Sequence, residues 1–291
     1  MATRLSVNTN TCSACGGKIA EGKYRCTSCG HWQFSHEYSS DGYHDEINDG
    51  SVLFEDIQSS AIDRVSIGLL DDCLDGGLVR SDVVLIGGGP GAGKSTLMLQ
   101  TAEAFCAYGE TLYIAAEEDI KTIKARGERL GIKTHRQLRF LPALSGVANI
   151  GALLMARRPK FIIADSIDAL SGNNDAEEIL ILTIIKKYCV ELQAPAIIIS
   201  QVNKGGDYAG LKEKQHAVDV LLTFDVDEDG ERNDIGELPR VLETIKNRSG
   251  RAYRQSYFEM TGQGLVLTLG PEDSQNDSDE NSEGDSNEDD P

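Results

Sequence analysis

The stretch GGPGAGKST, residues 88–96, has the residue types and spacing that could hold a nucleoside triphosphate. It fits the pattern G-x-x-x-x-G-K-[ST], in which backbone N–H groups wrap phosphates at a helix N-terminus and the helix dipole favours negative charge. Lys94 would contact the β- and γ-phosphates, and the Ser95 hydroxyl would bind Mg²⁺. The predicted phosphate-binding residues are Gly88, Gly89, Pro90, Gly91, Ala92, Gly93, Lys94, Ser95 and Thr96.

Acidic and amide side chains follow three further apolar runs. KFIIADS ends at Asp165, which could coordinate Mg²⁺ through water or cap the following helix. TLYIAAEED places Glu117 and Glu118 together, and either could polarise the water that attacks the γ-phosphate or favour the next helix N-terminus. AIIISQ ends at Gln201, which could hydrogen-bond the γ-phosphate or be an ordinary strand-end residue. These residues are candidate partners of the phosphate loop.

Four of the seven cysteines form two Cys-x-x-Cys pairs, Cys12 with Cys15 and Cys26 with Cys29. Two such turns complete a tetrahedral sulfur shell for Zn²⁺, and four thiolates leave no open position for catalysis. Incidental thiols or a redox pair are the alternative. An odd cysteine count with this spacing favours metal binding in a reducing compartment, so we expect a cytoplasmic protein.

The elements that must position these residues alternate along the chain. From about residue 52 to 269, the apolar runs VVLIGG, TLYIAA, LRFLPA, KFIIADS and AIIISQ are separated mostly by helical patterns. Near-continuous Val, Ile, Leu and Ala runs of this kind indicate a buried, mainly parallel sheet covered on both faces. The predicted fold class is therefore α/β.

The charge of the chain is unevenly distributed. The formal net charge is −19, and the last 21 residues hold ten Asp or Glu and no basic residue, so −19 + 10 leaves −9 for the remainder. Such a tail has almost no apolar surface to bury, and we expect it to be disordered. No apolar run reaches the roughly 18 residues of a membrane span, and the first residues lack the apolar stretch of a secretory signal.

Two basic segments are candidates for contact with phosphate groups. VNKGGDYAGLKEKQHAVD contains Lys204, Lys212 and Lys214, which suit a loop on a nucleic-acid backbone, although a plain solvated loop is the alternative. KNRSG places Lys246 and Arg248 two apart after a strand-like run, so both would point to one side. The alternative for this second segment is a solvated strand end.

The order of these features resembles the bacterial RadA (Sms) family of recombination ATPases. The resemblance rests on the four-Cys segment ending CTSCGHWQ, the phosphate loop, the AEED segment and KNRSG, and it covers about residues 12 to 269. It implies a RecA-like P-loop NTPase core that uses ATP, Mg²⁺ and Zn²⁺. The implied organisation is a zinc finger over 1–35, a linker over 36–60, the core over 61–270 and the acidic tail over 271–291.

The resemblance also implies a function in homologous recombination and repair. It implies a DNA-dependent ATPase that moves along single-stranded DNA as a homo-oligomeric ring, such as a hexamer, and drives branch migration. A recombinase or single-strand-binding protein would be a partner, and no membrane would be involved. Matched by position, Glu117 is the catalytic glutamate, Asp165 the Mg²⁺ carboxylate and Gln201 the γ-phosphate sensor. Lys246 and Arg248 would reach the ATP of a neighbouring subunit.

Three departures from the family pattern keep two alternatives open. Gln201 stands where the RadA pattern has His, which leans toward a DnaB-like replicative helicase of a phage or mobile element. Ser249 replaces a Phe, and the chain stops after GLVLTLG and the acidic tail, where the family carries a Lon-like domain. These two departures favour an ATP-binding adaptor in DNA repair that is not a motor.

Overall fold

The computed structural model describes residues 12, 15, 17–18, 28–29, 62–132, 136–142, 147–201, 211 and 214–270. The chain divides into two compact units, Met1–Ser59 and Ser60–Pro291. The predicted linker and acidic tail lie outside the described residues, and the domain bounds stay a prediction.

Eleven strands and five helices make up the described part of the second unit. The strands are β1 Arg64–Val65, β2 Leu78–Val79, β3 Val83–Gly87, β4 Thr111–Ala115, β5 Leu138–Pro142, β6 Phe161–Asp165, β7 Ala196–Ile199, β8 Val220–Val226, β9 Arg240–Asn247, β10 Gln255–Thr261 and β11 Gly264–Thr268. The helices are α1 Lys94–Phe105, α2 Ile120–Arg129, α3 Val147–Arg157, α4 Ile167–Ser171 and α5 Asp175–Leu192.

Nine of the described strands form one mixed sheet in the order β11-β10-β9-β8-β3-β7-β6-β4-β5. The six strands from β8 to β5 run parallel, whereas β9, β10 and β11 continue the sheet antiparallel. The five apolar runs read as strands from the sequence are β3 to β7, so the predicted α/β class with a mainly parallel sheet is confirmed. A separate pair, β1 with β2, is antiparallel.

Both faces of the parallel sheet are buried, which explains the continuous apolar runs. Successive residues of a strand point to opposite faces. Val84 and Ile86 of β3 pack in one apolar cluster with α1, and Val83 and Leu85 pack in a second cluster with α3 and α5. Every residue of β3, β4, β6 and β7 is buried.

Polar side chains start the helices at the carboxyl edge of this sheet. Ser166 caps α4 by accepting a hydrogen bond from the N–H of Ala169, and Asn174 caps α5 by accepting one from the N–H of Glu177. Asp165 is therefore not a helix cap, and its carboxylate remains free for another role. None of the described helices combines the length and the apolar character that crossing a bilayer requires.

Helix α5 carries one buried and one exposed leucine, and we expect replacement by Ala to have different costs at the two positions. Leu182 is 0% exposed and Leu180 is 49% exposed. We expect Leu182→Ala to lower the free energy of unfolding by about 2–5 kcal/mol, because it removes buried methyl groups and leaves a cavity. Leu180→Ala should cost less than about 1 kcal/mol. Urea denaturation of both variants checks this, and equal midpoints would contradict the burial of Leu182.

Candidate active site

The carboxyl ends of four parallel strands meet at one cleft of about 540 Å³. The phosphate loop follows β3, and residues from the ends of β4, β6 and β7 face it. Crevices at the carboxyl ends of parallel strands are the usual ligand sites of open α/β sheets. The cleft is lined by, among others, Pro90, Gly91, Gly93, Lys94, Ser95, Thr96, Glu117, Asp165 and Gln201.

The phosphate loop depends on glycine where the chain passes close to β8. Gly88 has φ +152°, and a Cβ atom built on it would lie 2.0 Å from the carbonyl oxygen of Phe224. The loop therefore tolerates no side chain at this position. Gly88 and Ala92 are buried, and these two residues and Gly89 are not among those that line the cleft. Their predicted contact with phosphate stays a prediction.

Lys94 begins α1 and lies within the loop. Its Nζ donates hydrogen bonds to the carbonyl oxygens of Gly88 at 2.6 Å and Gly89 at 2.8 Å. Burial lowers the pKa of Lys94 below its ordinary value, while the carboxylates of Asp225 and Glu117 act in the opposite direction. A cation with little contact with water, at the helix N-terminus, interacts strongly with an anionic ligand.

Asp165 ends β6 and is 3% exposed. The hydroxyl of Tyr113 donates a hydrogen bond to its Oδ2 at 2.7 Å. Oδ1 is buried and accepts no hydrogen bond from any residue within the described ranges. Burial raises the pKa of Asp165, the hydroxyls of Tyr113 and Ser95 lower it, and the charges of Glu117 and Glu118 raise it.

The Oδ1 atom of Asp165, which has no hydrogen-bond donor among the described residues, indicates whether a divalent cation fits this cleft. A buried carboxylate oxygen without a donor is costly unless a cation or water satisfies it. Ser95 and Asp165 both line the cleft, and carboxylate, hydroxyl and water oxygens are the ligands that Mg²⁺ prefers. The residues present therefore fit the predicted Mg²⁺ site.

Glu117 and Gln201 lie side by side at the ends of β4 and β7. The Nε2 atom of Gln201 donates a hydrogen bond to Oε1 of Glu117 at 2.8 Å. Both side chains are exposed within the cleft. The sequence placed both near the phosphate loop, and the structure brings them into direct contact.

The neighbouring Glu118 has a different partner. Nη2 of Arg126 lies 2.8 Å from both carboxylate oxygens of Glu118. The cap of α2 is Asp119, whose side chain accepts a hydrogen bond from the N–H of Lys121, so neither glutamate caps the helix. Among the described residues, Glu118 is thus paired with an arginine, whereas Glu117 has the amide of Gln201 as its partner.

Lys214 is a correction to the sequence-based interpretation. We expected this lysine on a loop facing nucleic acid, but it is 6% exposed. Its ammonium forms ion pairs with Asp168 at 3.3 Å and Glu178 at 2.5 Å and donates a hydrogen bond to Ser200 Oγ at 2.9 Å. Burial alone lowers its pKa, but these two carboxylates raise it above the ordinary value. The side chain is held in the interior and does not face a phosphate backbone.

The other two lysines expected on that loop, Lys204 and Lys212, lie outside the described residues. Their predicted contact with DNA stays a prediction. The same holds for Cys26 of the predicted zinc site.

Lys246 and Arg248 lie at the edge of the sheet opposite the phosphate loop. Asn247 pairs with Val220, at the amino end of β8, whereas the phosphate loop follows the carboxyl end of the parallel strand β3. The seven residues of β8 span about 20 Å. Arg248 is therefore too far from its own cleft to act there.

These two cations also differ in their contacts. Nζ of Lys246 donates hydrogen bonds to the carbonyl oxygens of Gln215 and, at 2.7 Å, Val218. Burial and then the charge of Arg248 lower the pKa of Lys246. The Arg248 side chain is 54% exposed and lies 3.7 Å from Asp219. The expectation that both reach outward together is wrong for Lys246, because the chain's own carbonyl groups occupy its ammonium.

Three of the four predicted zinc ligands are described, and they form a cluster. The sulfur atoms of Cys12, Cys15 and Cys29 all lie within 4.8 Å of one another, and those of Cys12 and Cys29 are 3.7 Å apart. Zn–S bonds of about 2.3 Å at tetrahedral angles give S···S distances of about 3.8 Å. The cluster therefore fits a thiolate metal site.

Sequence reasoning missed Tyr113 and Asp168. The Tyr in the largely apolar strand TLYIA was a signal, since the hydroxyl of a buried Tyr needs a partner. Burial and the charge of Asp165 raise the pKa of Tyr113 well above its ordinary value, so it stays a donor. Asp168 accepts hydrogen bonds from the N–H of Gln201 and from Ser200 Oγ. No local sequence pattern predicts the contact between Asp168 and Gln201, because the two residues are 33 positions apart.

Three curated proteins similar to this chain are named DNA repair protein RadA. The one from Aquifex aeolicus is 32% identical over 87% of this chain and 58% of its own length. Those from Bacillus subtilis and Campylobacter jejuni are 30% and 32% identical, over 89% and 88% of this chain and 59% of each relative. The chain thus spans less than two thirds of the length of these relatives.

The fold gives a second comparison. The family described as ATPase: KaiC matches residues 64–139. The solved structure of the KaiC-like protein PH0186 from Pyrococcus horikoshii is 20% identical, with a TM-score of 0.59 over 72% of this chain and all of that one. That likeness establishes the RecA-type fold, and the relatives add the sequence kinship. This chain is therefore similar in sequence to the RadA DNA repair proteins, and its described core has a KaiC-like, RecA-type fold.

Proposed function

We propose that this chain is a Mg²⁺-dependent ATPase of DNA recombination and repair whose turnover is stimulated by single-stranded DNA. The observation that carries the proposal is the contact of Gln201 with Glu117 at 2.8 Å, in a cleft that also contains the phosphate loop and Asp165. Binding ATP alone needs only the loop and a cation. A carboxylate and an amide that meet opposite the loop support hydrolysis as well.

The phosphate loop and Asp165 would hold the substrate. Backbone N–H groups of the loop and the ammonium of Lys94 would bind the β- and γ-phosphates of ATP. Ser95 and Asp165 would hold Mg²⁺, which supplies neutralisation of the charge that develops on the phosphate oxygens. The hydroxyl of Tyr113 donates to Oδ2 of Asp165, and Oδ1, which accepts no hydrogen bond within the described residues, would be the oxygen that faces Mg²⁺.

Glu117 would orient and polarise the attacking water. It is exposed within the cleft, so a water molecule can reach it, and no arginine in the described part of the chain neutralises it as Arg126 does Glu118. A positioned base of this kind contributes about 10²- to 10⁴-fold in rate. Gln201, already bonded to Glu117, would sense the γ-phosphate with its amide and fix the direction of the glutamate.

DNA is proposed as the partner because the relatives that match 87–89% of this chain are named DNA repair proteins. Of the three lysines first assigned to DNA, Lys204 and Lys212 remain candidates, and Lys214 is excluded by its burial. Branch migration or strand-exchange processing is the reaction that the resemblance implies.

We assign Arg248 to the ATP of a neighbouring subunit in a homo-oligomer. It is the more exposed of the two KNRSG cations, and it lies at the sheet edge opposite its own phosphate loop. A head-to-tail contact between copies would bring the two edges together. An arginine supplied to transferring phosphoryl groups stabilises the charge of the transition state.

A DnaB-like replicative helicase is the second candidate, and Gln201 is the observation that favours it. The side chain of Gln201, proposed to sense the γ-phosphate, is an amide, whereas the RadA pattern has His at this position. Efficient unwinding of a forked DNA duplex by the purified protein alone would favour this candidate, and DNA-stimulated turnover without unwinding would favour the first.

The two adjacent glutamates provide a matched test of hydrolysis. We expect Glu117→Gln to lower kcat by about 10²-fold or more with little change in the Kd for ATP, because a general base is lost but the phosphate contacts stay. Glu118→Gln should cost less than about tenfold, since a partly exposed ion pair contributes at most about 1 kcal/mol. ATP turnover and nucleotide binding measure both, and equal losses would contradict the assignment.

The cross-subunit assignment predicts a loss at a position remote from the chain's own cleft. ATP turnover is measured with and without single-stranded DNA for the parent, Arg248→Ala and Arg251→Ala, the last being an exposed arginine nearby that pairs with Asp75. We expect DNA to stimulate the parent and Arg248→Ala to lower the stimulated kcat on the order of 10³-fold. Arg251→Ala should match the parent.

Mixing two inactive variants distinguishes action in trans from a local defect. Arg248→Ala keeps an intact cleft, and Lys94→Ala keeps an intact Arg248. Mixed oligomers should therefore recover part of the turnover that each variant lacks. Turnover indifferent to DNA and to Arg248 would return KNRSG to a solvated strand end and favour the ATP-binding adaptor.

The cysteine cluster predicts one structural Zn²⁺ per chain. We expect Cys12→Ser and Cys26→Ser each to lose most of the metal, because a shell of four thiolates is weakened by any missing ligand. The matched control is Cys106→Ser, a buried cysteine of the ATPase core, which should keep the metal. Elemental analysis of purified protein measures the zinc content, and full zinc in Cys26→Ser would remove that residue from the site.

A further inference from the structure

A buried cation lies behind the cleft, on the side of β7 and α4. Nζ of Lys214 is 2.9 Å from Ser200 Oγ, 3.3 Å from Asp168 Oδ1 and 2.5 Å from Glu178 Oε2. These groups come from the end of β7, from α4 and from α5. The ammonium thus lies between two carboxylates, and Glu178 is itself buried and accepts a hydrogen bond from Ser171 Oγ. Such a buried arrangement is sensitive to the loss of any member.

The two oxygens of Asp168 have different partners. Oδ1 faces Lys214 and accepts a hydrogen bond from Ser200 Oγ at 3.3 Å, while Oδ2 accepts the backbone N–H of Gln201 at 2.8 Å. Since Ser200 and Gln201 are consecutive, one carboxylate fixes both residues just after β7. The direction in which the Gln201 side chain leaves the backbone is set at this point.

The contact continues into the cleft. Nε2 of Gln201 donates to Oε1 of Glu117 at 2.8 Å. The series Lys214, Asp168, Gln201 and Glu117 therefore runs from a buried cation to the carboxylate proposed to orient water. Lys214 itself is not among the residues that line the cleft, and Asp168 and Gln201 connect it to Glu117 through described contacts.

We propose that Lys214 is a positioning residue for ATP hydrolysis: by holding Asp168 it fixes the backbone of Gln201 and, through it, the amide that touches Glu117. The proposal rests on the proposed ATPase function and adds a residue to it. It assigns a functional part to a lysine that the sequence placed on a DNA-facing loop.

Lys214→Met is the variant that tests this, because it removes the ammonium and keeps an unbranched apolar stem. We expect kcat at saturating ATP to fall by about 10- to 100-fold, as for a catalytic group displaced by about 1 Å. KM and the Kd for ATP should stay within about twofold, because the phosphate loop is untouched. The matched control is Lys187→Met, an exposed lysine on α5 that should behave as the parent.

A double-mutant cycle separates positioning from a general loss of stability. If Lys214 acts through Gln201, then Gln201→Ala should lower kcat strongly in the parent and by less than about threefold in Lys214→Met. Independent, multiplying losses would overturn the proposal. Wild-type kcat in Lys214→Met would overturn it as well.

A charge-balanced variant answers the same question if Lys214→Met does not fold. Lys214→Met with Glu178→Gln removes one of the two buried carboxylates that the lysine faces, so we expect a melting temperature nearer to that of the parent. Its kcat should remain low, because Asp168 still lacks its cation. Recovery of kcat together with stability would mean that Lys214 is only structural. A parent protein that binds ATP and never hydrolyses it would instead overturn the proposed function, and this inference with it.

Discussion

Parallel pairing of four buried strands is the constraint on which the site depends. In the register of β4 and β6, Ala115 lies opposite Asp165, so the residues that follow β4 emerge beside that carboxylate. β7 lies between β6 and β3, which brings Gln201 to the same edge as the phosphate loop. Packing on the two faces fixes this register, because a slip by one residue would exchange the side chains that fill the two apolar clusters. Catalytic geometry is thus set by residues that touch no substrate.

The carboxylates at this edge are distinguished by their partners rather than by their type. Arg126 neutralises Glu118, Tyr113 donates to Asp165, and Lys214 faces Asp168. Glu117 is exposed, and it accepts a hydrogen bond from the neutral side-chain amide of Gln201. A like-charged cluster would otherwise raise the pKa of its members, as the charges of Glu117 and Glu118 do at Asp165. Separate partners allow one carboxylate to face water while the others keep fixed positions.

Local patterns predicted much of this arrangement, and contacts distant in sequence account for the rest. The strands β3 to β7 and the phosphate loop were predictable because continuous apolar runs and a glycine-rich turn are local signals. Adjacent Glu117 and Glu118 were not separable, since the difference is made by Arg126, on the next helix. Lys214 was assigned to a loop on a nucleic-acid backbone because it lies with two other lysines in a Gly-containing segment. Its burial depends on Asp168 and Glu178, 46 and 36 positions earlier in the chain.

The antiparallel extension of the sheet gives the chain two unlike edges. β9 runs back along β8, so the KNRSG segment ends beside Asp82, at the amino end of β3, where Ser249 Oγ donates to Asp82 Oδ2 at 2.6 Å. The phosphate loop begins at the other end of the same strand. A head-to-tail contact between copies would bring the Arg248 edge of one copy to the phosphate-loop edge of the next. Repeated head-to-tail contacts close into rings or extend as filaments. Because Arg248 lies near the amino end of β3 and the phosphate loop follows its carboxyl end, the proposed action of Arg248 on a neighbour's ATP goes together with the proposed head-to-tail assembly.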